Sequence, residues 1–227
     1  MAVILALDTS TEACSCALLG AGEGRERFVV KPREHTQLLL PMIEDLLAEC
    51  GMTLQDLDAV AFGRGPGSFT GLRIAAGVTQ GLAFALDLPV VPVSTLAALA
   101  LQGMEAGQRS PLSLACIDAR IEEVYWAWFR TDGELPQLLG DEILSKPEAL
   151  VLPATYEKQA LAVFGSGLHY RARMPRGLVA DFASESPQML PRAIHIGRLA
   201  QHDFNIGKVC RADEASPVYL RDKVTHG

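Results

Sequence analysis

Residues 63–73 read GRGPGSFTGLR, and this stretch decides how the rest of the chain is interpreted. It places four glycines and one proline between a short apolar run at 58–62 and a long run of small residues at 68–86. Glycine is needed where the backbone takes a positive φ or where other atoms approach it closely. The stretch therefore predicts a strand, a tight turn and a helix in direct succession.

This junction has two interpretations. The free N–H groups at the N-terminus of the helix can hold an anion, or the turn can simply pack the strand against the helix. The residues that would serve an anion or a nucleotide are Arg64, Gly65, Gly67 and Ser68. The spacing matches neither G-x-x-x-x-G-K-[ST] nor G-x-G-x-x-G, so it predicts neither a P-loop nor a dinucleotide-binding turn.

Strand and helix patterns alternate on both sides of this stretch. In the first half, strands are predicted at 1–7, 13–19, 28–31, 58–62 and 90–93, and helices at 36–50, at 68–86 and from a cap at Ser94 to about Gly103. In the second half, strands are predicted at 113–117, 124–129, 137–144 and 160–164, with a short helix at 146–150 and a largely helical segment at 187–204.

The two halves begin alike. LALD at 5–8 matches ACID at 115–118, and in each half a strand, an aspartate, a turn and a second strand follow one another. A duplicated βββαβα unit explains this order. The sequence thus predicts an α/β fold with two lobes, 1–103 and 104–227, of which the second is reduced. The final helix is a candidate to return to the first lobe.

The composition favours a folded protein with reduced thiols. The chain has 227 residues, of which 49% are hydrophobic, and this is enough to bury a sizeable core. No uninterrupted run of about 18 apolar residues occurs, so we expect no membrane span. The five cysteines form no C-x-x-C pair, which favours the cytoplasm. A net charge of −7 disfavours the chain as the main binder of nucleic acid.

Several longer motifs resemble one family. The stretch at 63–74, GRGPGSFTGLRI, is similar to the TsaB (YeaZ) family, as are LALDTS at 5–10 and HTQLLLPMI at 35–43. DARIEEVYWAWF at 118–129 and SPVYLRD at 216–222 extend the resemblance over nearly the whole chain.

The resemblance implies an actin-like fold, as in sugar kinases and heat-shock ATPases. It also implies a non-catalytic subunit of the bacterial machinery that makes threonylcarbamoyladenosine at position 37 of tRNAs reading ANN codons. The expected partners are the paralogous metalloenzyme TsaD and the ATPase TsaE. A homodimer is expected when the chain is alone, and contact with tRNA only through the complex.

A catalytic metal site is not expected in this chain. The resemblance implies that TsaD grips its metal with two histidines four residues apart on a helix. The matching positions here are His35 and Leu39, and one imidazole beside a leucine does not make that site. We therefore predict no metal, no intrinsic cofactor and no catalytic residue.

A nucleotide site stays open as an alternative, because actin-like ATPases hold phosphate between two strand–turn–strand loops. The candidates in these loops and in the adenosine loop are Asp8, Thr9, Ser10, Thr11, Asp118, Gly165, Ser166 and Gly167. ATP or ADP is the implied ligand. The hydroxyl residues after Asp8 can equally form the turn.

The two long helices carry more apolar and small residues than one core-facing stripe needs. The interface candidates are Leu38, Leu39, Met42, Ile43 and Leu46 in the first helix and Gly71, Leu72, Ala75, Val78 and Gly81 in the second. Small residues four apart would let another helix approach to about 8 Å. The resemblance implies a four-helix contact with TsaD or with a second copy, and packing on the chain's own sheet is the alternative.

Two enzyme classes compete with the scaffold interpretation. An actin-like ATPase or small-molecule kinase would rest on Asp8, Asp118 and the glycines at 165–167. A metalloprotease is disfavoured because the histidine pair is missing and no H-E-x-x-H occurs.

Overall fold

The computed structural model describes residues 1–20, 24–108, 110–154 and 156–221. These residues form two compact units. The first comprises Met1–Ala98 and Pro191–Val218, and the second comprises Leu99–Leu190 and residues 219–221. The motif at 216–222 ends on Asp222, which lies outside the described residues.

The first unit is a five-stranded mixed sheet with helices on both faces. Its elements are β1 (Ile4–Asp8), β2 (Ala13–Leu19), β3 (Arg25–Val30), α1 (His35–Glu49), β4 (Ala59–Gly65), α2 (Phe69–Leu86), β5 (Val90–Ser94), the start of α3 (Thr95–Glu105), and α5 (Ala193–Asn205). The strand order is β3-β2-β1-β4-β5, with β1, β4 and β5 parallel. Short 3₁₀ turns lie at Leu54–Asp56 and Ala212–Glu214.

Strand alternation explains the two faces of this sheet. Even-numbered residues of β2, such as Cys14 and Cys16, join Leu5, Leu7 and Phe62 in the core beneath α1 and α2. Odd-numbered residues meet α5 on the opposite face, where the Ser15 hydroxyl accepts a hydrogen bond from Ala193 N at 3.0 Å. Because helices pack on both faces of the sheet, nearly all residues of β1, β2 and β4 are buried.

The second unit repeats the sheet with less helix. Its elements are β6 (Leu112–Asp118), β7 (Val124–Arg130), β8 (Gln137–Ser145), β9 (Leu161–Phe164), α4 (Arg176–Val179) and β10 (Phe182–Ser186), with 3₁₀ segments at Pro147–Ala149 and Ser166–Arg173. The strand order is β10-β9-β6-β7-β8, the same connectivity as in the first sheet.

The predicted α/β class, the duplication and the reduced second lobe are therefore confirmed. Where α1 and α2 cover the first sheet, the described residues that cover the corresponding face of the second belong to 3₁₀ turns, to the one-turn helix α4 and to the loop that contains Leu152 and Tyr156. The two units also share equivalent hydrogen bonds at the aspartates that end their first strands. The Asp8 carboxylate accepts a hydrogen bond from Ser10 N at 3.1 Å, and the Asp118 carboxylate accepts one from Arg120 N at 2.8 Å.

Predicted and observed elements differ at a few places. The first lobe was expected to end at residue 103, near the end of α3, whereas the first unit ends at Ala98 within that helix. Gly103 packs on the second sheet, where a Cβ would lie 2.2 Å from the Phe164 ring. β3 begins at Arg25, since charged residues are tolerated on an edge strand. The segment predicted as helical from 187 becomes helix only at Ala193, after two prolines. β10 and the 3₁₀ segment at 166–173 were not predicted.

By length and composition alone, one helix among the described residues, α2, is long and apolar enough to cross a membrane. One such helix is weak evidence, since core helices of soluble proteins meet the same criterion. Only 33% of the residues of α2 are buried, so the described part of the chain leaves much of the helix surface uncovered.

Candidate functional site

The outward face of α2 is the most unusual surface of the first unit. Gly77 and Gly81 lie on it one turn apart, both exposed and both inside a regular helix. Nothing in the described chain lies within 4 Å of a Cβ placed at either glycine. Glycine in a helix interior costs about 1 kcal/mol relative to alanine. Neither a close contact among the described residues nor the backbone conformation requires glycine at these two positions, so nothing within the described chain explains this cost.

Apolar side chains surround the two glycines. Ile74 and Val78 are half-buried on the side of α2 that joins the core beneath α1, and Ala85 continues the exposed stripe one turn beyond Gly81. Phe84 is 82% exposed beside them. The result is a stripe of small residues with an aromatic side chain at one end, which we call the α2 face and define by Ile74, Gly77, Val78, Gly81, Phe84 and Ala85. Only Val78 and Gly81 of these were among the predicted interface residues, although the sequence already showed Gly77, Gly81 and Ala85 as small residues four apart that favour close packing.

Most of the predicted interface residues face the chain's own core. The buried ones are Leu39, Ile43, Leu46, Gly71, Leu72 and Ala75. They form the stripes by which α1 and α2 pack on the sheet, so they cannot touch a partner while the unit is folded. This part of the prediction is wrong, because helical periodicity marks an apolar stripe without saying what covers it.

Leu38 and Met42 are also displaced from the expected surface. They share one side of α1 with Asp45 and Glu49, since residues three, four and seven apart lie on one helix face. Arg27 of β3 lies 3.3 Å from Asp45 and 3.2 Å from Glu49. That side of α1 therefore faces β3 rather than α2. Leu40 of α1, which was not predicted, is 48% exposed.

The glycines at 63–71 are explained by close packing of the chain on itself. A Cβ at Gly63 would lie 2.0 Å from Asp8 Oδ2, and one at Gly71 would lie 1.9 Å from Thr9 O. A Cβ at Gly67 would lie 2.5 Å from Ser10 O. Gly65 has φ +110°, and its Cβ would meet Val218 O at 2.9 Å.

The N-terminus of α2 is also partly occupied. Ser68 N donates to Ser10 O at 2.7 Å, and the Ser68 hydroxyl caps Gly71 N at 3.4 Å. Arg64 contributes its carbonyl to Val218 N at 2.8 Å. Of the two interpretations of this junction, the geometry supports strand-to-helix packing.

Among the described carboxylates of the first unit, Asp8 has the most strongly raised pKa. It is fully buried, and Oδ1 accepts hydrogen bonds from Ser10 N at 3.1 Å and Ser10 Oγ at 2.8 Å. Among the residues that the structure describes, neither Oδ2 nor the buried Thr95 hydroxyl has a hydrogen-bond partner. Both lie against Gly63, whose Cβ would be 3.4 Å from Thr95 Oγ1. Burial raises the pKa of Asp8 to about 6, although the Ser10 hydrogen bonds lower it.

The hydroxyl residues next to Asp8 serve the local structure. Thr9 Oγ1 donates to Gly71 O at 2.7 Å, and Thr11 Oγ1 accepts from Ala13 N at 3.3 Å. The Thr11 bond is the one expected of a turn former, whereas the Thr9 bond ties this loop to the first turn of α2.

The corresponding loops of the second unit follow the same rule. Gly165 has φ +105°, and its Cβ would lie 2.2 Å from Cys116 O. Gly167 packs equally closely on Cys116, and the Ser166 hydroxyl accepts from Asp118 N at 3.1 Å. Each glycine loop thus follows a central strand, β4 or β9, and packs on the aspartate-ended strand beside it.

His35 begins α1, as predicted, but it is buried, and its Nε2 lies 3.2 Å from Ala13 O. Leu39 is in the core. Among the described residues, no group of three or more His, Cys, Asp or Glu side chains is arranged to hold a metal ion. The histidine at 226 lies outside those residues.

Comparison with known proteins gives consistent matches. The family model described as TsaD, tRNA N6-adenosine threonylcarbamoyltransferase, matches residues 30–211. The tRNA threonylcarbamoyladenosine biosynthesis protein TsaB of Haemophilus influenzae is 40% identical, with 98% of this chain and 94% of the relative covered. The Escherichia coli TsaB is also 40% identical, over 97% and 95%. The structure of YeaZ from Pseudomonas aeruginosa superposes with a TM-score of 0.91 at 44% identity, covering 97% of this chain and all of that one.

Proposed function

Since this chain belongs to the TsaB (YeaZ) family, we propose that it serves tRNA threonylcarbamoyladenosine biosynthesis as a non-catalytic subunit. It pairs with the TsaD-type enzyme through the α2 face and takes part in recruiting the ATPase TsaE. It acts in the cytoplasm, forms a homodimer when alone, and meets tRNA only as part of the complex.

The open space at Gly77 and Gly81 carries this proposal. Together the two glycines cost about 2 kcal/mol in an isolated helix. A partner helix whose backbone crosses close to them would explain both, because any larger side chain would hold it away. A helix that only packed on its own sheet would have no use for them on its outer side.

The side chains around the glycines supply the affinity. Phe84 is the exposed aromatic anchor, and burying a side chain of this size contributes about 1.5–3 kcal/mol. Ile74 and Val78 add half-buried apolar surface along the same helix. Association costs about 4–15 kcal/mol in lost freedom. The stripe therefore needs a partner of closely matched shape, which favours a paralogue with a similar helix pair over an unrelated protein.

A non-catalytic role fits the chemistry of the loops. The glycines, serines and threonines next to Asp8 and Asp118 are engaged in packing and turns. The proposal therefore assigns no cofactor to the chain. Binding of ATP or ADP at these loops is the alternative, and the second experiment below separates the two.

Gly81→Leu tests the pairing surface directly. The variant keeps a good helix former at an exposed position, so we expect a folded monomer that no longer pairs. Gly177→Leu is the matched control, because Gly177 is an exposed helical glycine of α4 with open space around its Cβ. Size-exclusion chromatography with light scattering, using the purified TsaD-type partner, measures the mass of each mixture. Pairing by Gly81→Leu as strong as by the control contradicts the proposal.

The cellular role is tested by depleting the protein and measuring threonylcarbamoyladenosine in tRNA by mass spectrometry. We expect the modification to fall, the wild-type chain to restore it, and Gly81→Leu not to. An Asp8→Asn, Asp118→Asn double variant that restores the modification supports scaffolding. Failure of a folded double variant supports the nucleotide alternative instead.

A further inference from the structure

The charged residues of α2 stand near its two ends. From Phe69 to Asp87 the chain carries only two, Arg73 toward the N-terminus and Asp87 at the C-cap, and both are exposed. Residues three, four and seven apart share a helix face, so positions 73, 77, 84 and 87 run along the outward side of α2. A base, a glycine, an aromatic ring and an acid therefore follow one another beside the α2 face.

This order of charges does not stabilise the isolated helix. The helix dipole favours acidic side chains near the N-terminus and basic side chains near the C-terminus. α2 has no acidic residue in its first turn and no basic residue in its last turn, and its C-cap is Asp87 with φ +54°. Glycine or asparagine would suit this left-handed position without a charge. Nothing within α2 therefore favours an acid there.

The charge at each end of α2 stays at the surface. The Arg73 guanidinium carbon lies 3.9 Å from the centre of the Phe69 ring, and this cation–π contact leaves the positive charge in place. No described residue forms an ion pair with Asp87. A hydrogen bond to Asp213 at 3.1 Å raises the pKa of Arg211, and the Asp87 charge adds to this shift. Because Arg211 is already paired with Asp213, the Asp87 end of α2 stays net negative.

These positions are self-complementary when two copies of α2 lie antiparallel. At a rise of about 1.5 Å per residue, Arg73 and Asp87 are about 21 Å apart along the helix. Their midpoint at residue 80 is one position from the midpoint between Gly77 and Gly81. A two-fold axis there places each Arg73 opposite the Asp87 of the second copy, with the two backbones close together over the glycines. A parallel pair would instead bring like charges together at both ends.

The same arrangement provides a place for the exposed Phe84 ring. In the antiparallel register Phe84 lies opposite residues 74–76 of the second copy, between Ile74 and Gly77. No described atom lies within 4 Å of a Cβ placed at Gly77, so the incoming ring has room there. Each copy thus supplies both an aromatic side chain and the space that receives it, as a two-fold contact between identical surfaces requires.

We propose that two copies of this chain pair through antiparallel α2 helices. Arg73 of each copy forms an ion pair with Asp87 of the other, and Phe84 packs against Ile74 and Gly77 across the axis. This inference rests on the proposed function for the existence of the homodimer. It adds the orientation, the register and the residues that fix them, because opposite charges meet at both ends only in this arrangement.

Charge reversal tests the orientation. In the antiparallel pair, Arg73→Glu places two acids opposite each other at both ends, and Asp87→Arg does the same with two bases, so each variant should weaken the homodimer about tenfold. The double variant restores opposite charges and should return to within about threefold of the wild type. Arg176→Glu is the matched control, because Arg176 is an exposed arginine of α4 in the second unit. It should leave the dissociation constant unchanged.

Sedimentation velocity of the purified chain over a range of concentrations measures each dissociation constant, and circular dichroism checks that each variant is folded. Local costs, such as loss of the Phe69 contact, persist in the double variant, so only pairing restored across the interface can rescue it. Weakening by both single changes together with rescue by the double change supports the proposal. Single variants that pair like the wild type, a double variant no tighter than the single ones, or a monomeric wild type overturns it.

Gly81→Leu keeps this proposal apart from the proposed function. If Gly81→Leu abolishes pairing with the TsaD-type enzyme while the charge reversals leave the homodimer unchanged, the proposed function stands and the antiparallel contact falls. If Gly81→Leu leaves pairing with the enzyme intact while the double variant rescues the homodimer, the antiparallel contact stands and the proposed function falls.

Discussion

Replacing Asp8 by asparagine should stabilise the protein at neutral pH and much less under acid conditions. Asp8 is fully buried, and its Oδ2 has no hydrogen-bond partner among the described residues. Burial raises its pKa from 3.8 to about 6. The folded state therefore binds this proton more tightly than the unfolded state does. Its ionisation costs nothing below pH 3.8, costs progressively more between pH 3.8 and 6, and reaches its full cost above pH 6.

The size of the effect follows from the pKa. Each pKa unit is worth about 1.4 kcal/mol, so ionised Asp8 costs the folded state about 3 kcal/mol at pH 7.5. At pH 4 nearly all of this cost is absent. Asparagine keeps an acceptor for Ser10 and cannot ionise. The gain in unfolding free energy from Asp8→Asn should therefore be about 2.5 kcal/mol larger at pH 7.5 than at pH 4, and at neutral pH the melting temperature should rise by roughly 6–12 °C.

Urea unfolding followed by circular dichroism at both pH values measures this difference, and comparing the same pair of proteins at two pH values cancels any change in packing. Asp56→Asn is the control of opposite sign. The hydrogen bonds from Thr53 N and Oγ1, at 2.7 and 2.8 Å, lower the Asp56 pKa, so this variant should lose more stability at pH 7.5 than at pH 4. An Asp8→Asn effect that is equal at the two pH values would refute the argument.

Three further outcomes follow from the same contacts. Gly77→Ala should raise the unfolding free energy of the monomer by about 1 kcal/mol, because its Cβ meets open space. Gly71→Ala should lower it by about 1–3 kcal/mol, because its Cβ would lie 1.9 Å from a carbonyl oxygen. Thermal melting of the two variants compares them directly, and equal effects would contradict the packing analysis. Of the five cysteines, only Cys50 and Cys210 are half-buried, so at most two should react quickly with a thiol reagent before denaturation and all five afterwards. A third fast thiol would show that the core opens more readily than its burial indicates.

Burial accounts for the thiol prediction. It raises the pKa of Cys14 to about 11 and that of Cys16 and Cys116 to about 12, so these groups carry almost no thiolate at pH 8. Cys14 and Cys16 lie on the same face of β2, and both are fully buried.

The order of helices and strands could be predicted because most of these elements have a recognisable pattern in their own sequence. The period of apolar residues gave both long helices, Gly51 with its positive φ ended α1, and the Ser94 hydroxyl caps α3 by accepting from Ala97 N at 3.1 Å. The match of LALD with ACID gave the duplication, which the two identical sheet orders confirm. β10 was not predicted, since a short edge strand with alternating polar residues has no clear hydrophobic pattern.

The sequence by itself determined the repeat, the family and the fact that α2 carries glycines no ordinary surface helix needs. Only the tertiary structure decided which side of each helix the sheet covers. It buried Leu39 and Leu72, turned Met42 toward β3, and left Gly77 and Gly81 open. The physical reason is that the 3.6-residue period fixes which residues share a helix face, whereas the direction of that face depends on neighbouring strands distant in sequence.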